Sequence, residues 1–330
     1  MCSKVTVLDG GFSTQMSTHV GERIDGDPLW TARFLVSDPE AVLATHLDFL
    51  RAGSEIIETN TYQATVTGFM EYLGINEAES LKLISQAVDI AKRAVKIYRD
   101  EIADREDVPN REPLIAGSCG PYGASLHDGS EYTGEYSTNI SLDMMKNWHR
   151  PRFEALINSG VDLLALETIP CALEAEALVE LLKEYPNIRA WLTFSCRTDG
   201  QHIVDGSDFK QIAIKCYKNA APGQIIGVGV NCLAPQSVSS LFRDINSDGN
   251  EEFIPLVIYP NSGETYTVLD GWKNIGNVCP LENFIHQWLD MGVRYIGGCC
   301  RTYAADVTKI RLKVLEWQLK QQKKQSNLAK

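Results

Sequence analysis

Short apolar runs rich in β-branched residues recur along the chain, and between them lie longer segments whose apolar residues recur at helical spacing. Apolar runs without alternation are typical of strands in a parallel sheet, because helices cover both faces of such a sheet. The pattern predicts eight strands, at Val5–Leu8, Glu55–Thr59, Leu114–Ser118, Leu163–Glu167, Ala190–Ser195, Ile226–Asn231, Pro255–Tyr259 and Arg294–Gly297.

The segments between these strands carry recognisable helix signals. Residues 37–40, "SDPE", form a capping-box sequence in front of a helix over Ala41–Ala52, and Pro39 suits its first turn. The other predicted helices are Glu77–Tyr98, Leu142–Asn158, Ala172–Glu184, Asp208–Asn219, Pro235–Asn246, Leu281–Met291 and Ala304–Leu319.

Eight alternating strand–helix units with no evident linker predict one (β/α)8 TIM barrel, of class α/β, over residues 1–320. The alternative is a doubly wound open sheet, but no GxGxxG sequence follows the first strand, as a dinucleotide site would require. Residues 321–330 are predicted to be a polar, basic tail. Residues 119–140 and 261–279 form long loops after strand ends, where lids and binding loops are common.

Charge and cysteine usage narrow the possible functions. The 330 residues carry a formal net charge of −12, which argues against non-specific binding to nucleic acid or to anionic membranes. No apolar run is long enough to span a membrane, and the N-terminus lacks the pattern of a signal peptide. The nine scattered cysteines do not resemble a disulfide framework, so a reducing, cytoplasmic location is expected.

Polar groups and thiols are concentrated at the predicted strand ends. In a barrel of this kind the active site lies at the C-terminal ends of the strands, so these side chains are expected to share one face. They are Asp9, Glu58, Asn60, Gln63, Cys119, Glu167, Thr168, Ser195, Cys196, Asn231, Cys232, Tyr259, Asn261, Cys299 and Cys300.

Three of the thiols suit a metal ion. Cys232 ends the sixth strand, and Cys299 and Cys300 end the eighth, which is a near neighbour in a closed barrel. Three thiolates with an open fourth position make a catalytic zinc site, and soft thiolates favour Zn²⁺ over Mg²⁺ or Ca²⁺. The glycines before Cys299 are expected to let the backbone turn sharply, so that both adjacent thiols reach one ion. Spacing alone leaves packed cysteines or a vicinal disulfide as alternatives, because this is not a CxxC pattern.

The carboxylates suggest an amino acid ligand. Glu167 closes a buried apolar strand and therefore needs a partner. Asp9 precedes Gly10 and Gly11, whose backbone N–H groups are expected to hold a substrate carboxylate while Asp9 and Glu167 hold its amine. The open position of the predicted metal site suits a thiol, which the metal would deprotonate. Together with the contacts to an amine and a carboxylate, this predicts an amino acid that carries a thiol as the ligand.

Five motifs carry a resemblance to a known family and span nearly the whole chain. They are "DGG" (9–11), "ETN" (58–60), "ETIP" (167–170), "GVNC" (229–232) and "GGCC" (297–300). In this order they resemble the homocysteine S-methyltransferases. The combination of the last two motifs is specific, whereas "DGG" or "ETIP" alone is weak.

The resemblance implies a (β/α)8 barrel that binds homocysteine through its sulfur to Zn²⁺. It implies no catalytic residue beyond the metal site, and it implies that Asn231 shapes the pocket and that Trp30 lies near the substrate. The implied metal ligands are Cys232, Cys299 and Cys300. The predicted substrate-binding residues are Asp9, Gly10, Gly11, Trp30, Gln63, Glu167 and Asn231.

The methyl donor varies within this family. Residues 120–136, "GPYGASLHDGSEYTGEY", look like the branch that uses S-methylmethionine, and often S-adenosylmethionine, rather than betaine. The betaine branch carries an aromatic residue where Gln63 stands. The chain also lacks the long C-terminal extension that betaine enzymes use in assembling tetramers. The expected assembly is a monomer or a small homo-oligomer.

The prediction is therefore zinc-dependent methyl transfer from a sulfonium donor to homocysteine, which forms methionine. Tyrosines of the 120–136 loop are expected to favour the sulfonium by cation–π contact, and Glu131 is a candidate for binding the donor's amine. The alternatives are a betaine-homocysteine methyltransferase, a non-catalytic protein that binds zinc and thiol amino acids, and a structural protein with packed cysteines.

Overall fold

The computed structural model describes residues 4–24, 26–105, 112–247, 252–267, 271–273 and 279–328. Its eight parallel strands form one sheet in the order β1-β10-β7-β6-β5-β4-β3-β2 and roll up into a nearly closed (β/α)8 barrel, which confirms the predicted TIM-barrel fold. These strands are β1 (Thr6–Val7), β2 (Ile56–Glu58), β3 (Leu114–Cys119), β4 (Leu163–Ile169), β5 (Arg189–Phe194), β6 (Ile225–Asn231), β7 (Leu256–Tyr259) and β10 (Val293–Ile296). A separate antiparallel pair comprises β8 (Thr265–Thr267) and β9 (Gly271–Lys273).

Eleven α-helices lie among the described residues. They are α1 (Phe12–Val20), α2 (Phe34–Ser37), α3 (Pro39–Ala52), α4 (Val66–Leu73), α5 (Glu77–Ile102), α6 (Leu142–Asn158), α7 (Ala172–Lys183), α8 (Phe209–Asn219), α9 (Pro235–Phe242), α10 (Ile285–Met291) and α11 (Ala304–Leu328). Within this part of the chain, no helix combines the length and apolar character needed to cross a membrane.

The start of α3 differs from the predicted capping box. The cap is Asp38, whose carboxylate accepts a hydrogen bond from the backbone N–H of Ala41. Ser37 instead ends α2, and its hydroxyl donates to the carbonyl of Arg33. Both residues are good caps, so the choice depends on the short preceding helix, which the sequence pattern did not reveal.

Two apolar layers hold the barrel together. The larger fills the space between strands and helices and includes the fully buried Phe49, Phe153 and Phe209. The smaller lies inside the barrel, where Trp191 donates to the hydroxyl of Tyr259 at 3.1 Å. Because the interior is filled by side chains, ligands reach the barrel only at its ends.

The junction between β1 and β2 closes the barrel without a regular ladder. The backbone N–H of Glu55 donates to the carbonyl of Val7 at 2.7 Å, and the Glu55 carboxylate accepts from the N–H of Val7 at 3.1 Å. At the other end of the junction, the Asp9 carboxylate accepts from the N–H of Glu58 at 2.8 Å. Two side chains thus supply hydrogen bonds that backbone groups supply elsewhere in the sheet.

The first predicted loop, residues 119–140, contains three short 3-10 turns, at Tyr122–Leu126, Ser130–Tyr132 and Glu135–Asn139. The second, residues 261–279, contains β8 and β9, and its residues 268–270 and 274–278 lie outside the described residues. The predicted tail continues α11 as a helix through Leu328, and residues 329–330 lie outside the described part.

Candidate metal and substrate site

Three thiols from two strand ends meet at the C-terminal end of the barrel. Cys232 follows β6, and Cys299 and Cys300 follow β10, with β7 between these strands. The Sγ atoms of Cys232 and Cys300 are 3.7 Å apart, and those of Cys299 and Cys300 are 4.0 Å apart. All three sulfurs lie within 4.8 Å of one another, so the fold brings together the three ligands predicted from the sequence.

These separations fit a tetrahedral metal ion. Two thiolates on zinc, each at about 2.3 Å from the metal, lie about 3.8 Å apart in a tetrahedron. A disulfide needs sulfurs at about 2.05 Å, and all three thiols are free, so the vicinal disulfide considered above is not formed. The donor set is also soft, which suits zinc better than magnesium or calcium.

The pKa values of the three thiols also favour a bound metal cation. Hydrogen bonds from Cys299 and Cys300 hold the pKa of the Cys232 thiol well below its ordinary value. The pKa values of Cys299 and Cys300 are raised, because their protons are engaged with Cys232 and because they are buried. Without a metal ion, the protein therefore stabilises one thiolate, that of Cys232, but not a second or a third. A divalent cation would compensate the charge of all three.

The glycines around the cluster are required for space. A Cβ on Gly11 would lie 2.3 Å from the carbonyl oxygen of Cys299, and one on Gly298 would lie 2.2 Å from a threonine hydroxyl. The sharp turn predicted at the glycines before Cys299 is wrong in its position, because left-handed backbone occurs instead at Cys232 (φ 54°) and at Arg301 (φ 65°). Close packing, against the Cys299 backbone at Gly11 and against the Thr302 side chain at Gly298, accounts for these two glycines.

The N–H of Gly11 has a partner within the chain, whereas the predicted substrate role of the Gly10 N–H stays a prediction. The N–H of Gly11, which the sequence predicts to hold a substrate carboxylate, donates to the carbonyl oxygen and the hydroxyl of Thr302 at 3.0 and 3.1 Å. Gly10 packs against Phe49, where a Cβ would lie 2.8 Å from the ring. The N–H of Gly11 thus anchors the segment after the cysteine pair, and no substrate role is proposed for it.

Three carboxyl groups cluster beside the thiols. Asp9, Glu58 and Glu167 come from the ends of β1, β2 and β4, and their charges act on one another. Burial, followed by the charge of Glu167, raises the pKa of Asp9 to about 8. Burial also raises the pKa of Glu58 well above its usual range and raises that of Glu167, whose carboxylate accepts a short hydrogen bond from Ser118. A cationic ammonium would relieve this crowding of acids.

Glu58 is a site residue that sequence reasoning missed. The pattern placed it at a strand end and in the "ETN" motif, but assigned the amine only to Asp9 and Glu167. Strand alternation alone does not show that the Glu58 side chain enters the acid cluster, because β2 has only three residues and the register across the β1–β2 junction is irregular. Its position at the end of a buried strand was the available signal.

Asn231 shapes the backbone between the two clusters. Its Oδ1 accepts from the N–H of Thr168 at 2.9 Å, and its Nδ2 donates to the Thr168 hydroxyl at 2.7 Å. Thr168 follows Glu167 and has a φ of 59°, which is unfavourable for a branched residue. The Asn231 amide therefore holds a strained segment next to the acid cluster, and Asn231 itself precedes Cys232.

Trp30 and Gln63 lie at the edge of the same region. The Trp30 ring packs edge-on against that of Tyr62, with ring centroids 5.9 Å apart. Burial raises the pKa of Tyr62 well above its usual value, and the charges of Glu131, Glu167 and other groups of the site raise it further. The Gln63 amide donates to the carbonyl of Ala124 at 3.0 Å, so Gln63 fixes the loop after β3.

A buried hydrogen-bonded relay anchors that loop. The Glu174 carboxylate accepts from the N–H of Tyr122 at 2.6 Å, from His149 Nε2 at 2.8 Å and from the hydroxyl of Tyr136. Arg152 donates to His149 Nδ1 at 3.2 Å. It also donates to the backbone carbonyls of Tyr62 at 2.8 Å and Gly120 at 2.5 Å. Burial lowers the pKa of His149, so the ring is neutral, with its proton on Nε2 and its Nδ1 as acceptor.

The anchored loop extends over the thiol cluster. Its Tyr132 hydroxyl lies 3.6 Å from the Sγ of Cys232, within hydrogen-bonding reach of sulfur. The preceding residue, Glu131, has a buried carboxylate oxygen, Oε2, without a hydrogen-bond partner. The loop thus adds a phenol and a carboxylate to a site that already contains thiols and three acids.

Comparison with known proteins agrees with this arrangement. The family model described as homocysteine S-methyltransferase matches residues 6–314. The chain is 44% identical over 313 residues to a betaine-homocysteine S-methyltransferase of Drosophila melanogaster, with 93% of each chain covered. It is 40% identical over 309 residues to a homocysteine S-methyltransferase of Escherichia coli (strain K12), with 93% of this chain and 94% of that one covered.

Comparison with solved structures identifies the same family. The crystal structure of the metallated form of the homocysteine methyltransferase MmuM from Escherichia coli superposes with a TM-score of 0.79 at 37% identity. The alignment covers 94% of this chain and 96% of that chain. The chain therefore belongs to the homocysteine S-methyltransferase family and is an enzyme of that kind.

Proposed function

We propose that this enzyme transfers a methyl group from a sulfonium donor, S-methylmethionine or S-adenosylmethionine, to homocysteine and forms methionine, with Zn²⁺ held by Cys232, Cys299 and Cys300. The observation that supports this most directly is the adjacency of a soft three-thiol cluster and a cluster of buried acids at one end of the barrel. Homocysteine carries a thiol and an ammonium group on one small molecule, so it matches both clusters.

A zinc ion bound to the three thiolates would lower the pKa of the homocysteine thiol, so that the acceptor sulfur reacts as a thiolate at neutral pH. The acids of the chain orient this acceptor. An ammonium beside Asp9, Glu58 and Glu167 favours their ionised forms and replaces three mutually repelling acids with a charge-compensated group.

Methyl transfer then needs alignment rather than proton transfer to the methyl group. A new bond forms between the acceptor sulfur and the methyl carbon while the bond from that carbon to the donor sulfur breaks. The electron pair stays on the donor sulfur, which becomes a neutral thioether, and the acceptor's thiol proton has already left to solvent. Tyr62 and Tyr132 place aromatic rings near the thiols, where they favour a sulfonium cation.

A second candidate donor is betaine, because the Drosophila relative is named for it. Betaine also carries a methylated cation and would be attracted by the same acidic, aromatic site. The proposal favours sulfonium donors for two reasons: Gln63 stands where the resemblance implies an aromatic residue in the betaine branch, and the loop over the thiols brings an additional carboxylate.

A donor panel tests the reaction. The purified, reduced enzyme is incubated with homocysteine and S-methylmethionine, S-adenosylmethionine or betaine, and methionine formation is followed while the metal content is measured. We expect about one zinc per chain and a higher kcat/KM with a sulfonium donor than with betaine. A clear preference for betaine would overturn the donor assignment.

The ligand role is tested by Cys300→Ala. This variant is expected to lose bound zinc and activity together, because two thiolates leave the metal site incomplete. The matched control is Cys196→Ala, which removes a partly exposed thiol at the end of β5 that is not part of the cluster. Full activity in the Cys300 variant, or equal zinc loss in both variants, would contradict the assignment.

A further inference from the structure

Glu131 occupies an unusual position for a loop glutamate. It lies in the 3-10 turn Ser130–Tyr132, whose last residue reaches Cys232. Its Oε2 atom is buried and has no hydrogen-bond partner in the described chain. A buried carboxylate oxygen without a partner is costly, so this geometry is explained best by a cationic group that arrives from outside the chain.

The surroundings show that this carboxylate belongs to the active site. Its pKa is raised by burial first and then by the nearby Cys232, and its own charge acts on Tyr62. The charges of Glu167 and Cys232 also raise the pKa of Tyr62. The Glu131 carboxylate therefore borders the space between the thiol cluster and the acid cluster. The acids from β1, β2 and β4 already suffice for the acceptor's ammonium, which leaves Glu131 for the other substrate.

The donors differ in the group that such a carboxylate would bind. S-methylmethionine and S-adenosylmethionine each carry an α-ammonium in addition to the sulfonium, whereas betaine has one cationic centre and no N–H donor. A desolvated carboxylate gains most from a partner that provides both a charge and a hydrogen bond. Glu131 therefore suits an amino-acid sulfonium and offers betaine no hydrogen bond.

We propose that Glu131 binds the α-ammonium of the methyl donor and so determines the preference for amino-acid sulfonium donors. The inference rests on the proposed sulfonium-dependent reaction and names the residue that recognises the donor. Glu131 acts on binding, because the ammonium lies away from the transferred methyl group and keeps its charge throughout the reaction. Its loss is expected to change KM for the donor more than kcat.

The test uses Glu131→Gln and two donors that differ by the group in question. 4-(Dimethylsulfonio)butanoate has the carbon chain, dimethylsulfonium and carboxylate of S-methylmethionine, with hydrogen in place of the α-ammonium. For the variant, kcat/KM with S-methylmethionine is expected to fall about 10- to 100-fold, mainly through KM, as for the loss of a charge-assisted hydrogen bond. With the butanoate, affinity is expected to stay within about twofold, measured as kcat/KM or as an inhibition constant against S-methylmethionine.

Glu135→Gln is the matched control, since it removes the same charge from an exposed position of the same loop and is expected to change neither value. An equal fall with both donors, or no fall with S-methylmethionine, overturns the role of Glu131 and leaves the proposed reaction intact. A wild-type enzyme that accepts only betaine overturns the proposed reaction, and the role of Glu131 with it.

Discussion

At the scale of single residues, the site is built on backbone that most residues avoid. Cys232 and Thr168 both have φ in the left-handed region, at 54° and 59°. Such conformations cost about 1–3 kcal/mol each and persist only where neighbours hold them. Here Asn231 bonds both the N–H and the hydroxyl of Thr168, so one amide stabilises the segment beside the acids and sits next to a thiol.

Asp9→Asn is expected to change the pH dependence of stability. The folded pKa of Asp9 is about 8, against 3.8 for an exposed group, so the native state binds more protons than the unfolded state between these values. The free energy of unfolding therefore falls as pH rises through this window, by at most about 1.4 kcal/mol per pH unit, and the asparagine variant lacks this contribution. Urea unfolding at pH 5, 6.5 and 8 should show the variant gaining stability relative to wild type as pH rises.

The same variant is expected to bind homocysteine at least about tenfold more weakly, because a charge-assisted contact to its amine is lost. Asp162→Asn is the control, since the Asp162 carboxylate also accepts from a strand N–H, that of Ile115 at 2.8 Å, but at the opposite end of the barrel. A stability difference that does not vary with pH, or an unchanged KM for homocysteine, would contradict the role given to Asp9.

At the scale of elements, the loop after β3 is held in place by helices rather than by its own sequence. The relay of Glu174 on α7 with His149 and Arg152 on α6 bonds both ends of the loop and the backbone of Tyr62. Both Glu174 and His149 are fully buried. Donor recognition is therefore expected to depend on residues that do not touch the donor.

His149→Phe tests this dependence. The variant leaves Glu174 and Arg152 each short of a buried hydrogen bond, which is expected to cost about 1–3 kcal/mol of stability. KM for the donor should rise several-fold while KM for homocysteine changes little, and His149→Gln, which can donate and accept at similar positions, should restore part of the donor affinity. Steady-state kinetics with each substrate varied in turn measures these effects.

His46→Phe is the matched control, because His46 is also fully buried but neither ring nitrogen has a hydrogen-bond partner. Its ring packs against Phe12 at a centroid distance of 5.0 Å. This replacement should leave the KM for the donor unchanged. If both histidine variants alter the two KM values alike, the relay has no specific part in positioning the loop.

Particular residues show what the sequence could and could not reveal. All eight barrel strands were predicted, because buried parallel strands have a continuous apolar pattern, and the strand ends in turn located Cys232, Cys299 and Cys300. The relay of Glu174, His149 and Arg152 was not foreseen, since helical spacing alone does not show which buried polar groups meet across two helices and a loop. Helix α1, directly after the "DGG" motif, was missed because its apolar pattern is weak over nine residues.

At the scale of the whole molecule, a metal ion would cross-link two parts of the barrel. Its ligands follow β6 and β10, which flank β7, and lie 68 residues apart in sequence from Cys232 to Cys300. A ligand that binds only the folded state stabilises it by about 2.7 kcal/mol at a free concentration one hundred times Kd. The proposed zinc is therefore expected to raise the thermal stability of the entire domain.

Removal of zinc with a chelator is expected to lower Tm by about 5–10 °C, given about 2–4 °C per kcal/mol for a large domain. The Cys300→Ala variant should unfold near the lower temperature with or without chelator. Differential scanning fluorimetry under reducing conditions measures both. A Tm of the wild-type enzyme that does not respond to chelator or to added zinc would contradict the cross-link.

The junction between β1 and β2 has a consequence for motion. It relies on a backbone hydrogen bond and on two carboxylates, those of Glu55 and Asp9, where ladders join the other neighbouring strands. Brief openings of the barrel are therefore expected to start at this junction, and amide protons near it are expected to exchange with solvent sooner than those of the central strands. An ammonium held by both Asp9 and Glu58, as proposed, would span the same junction, so bound homocysteine is expected to make these openings rarer and the whole barrel more rigid.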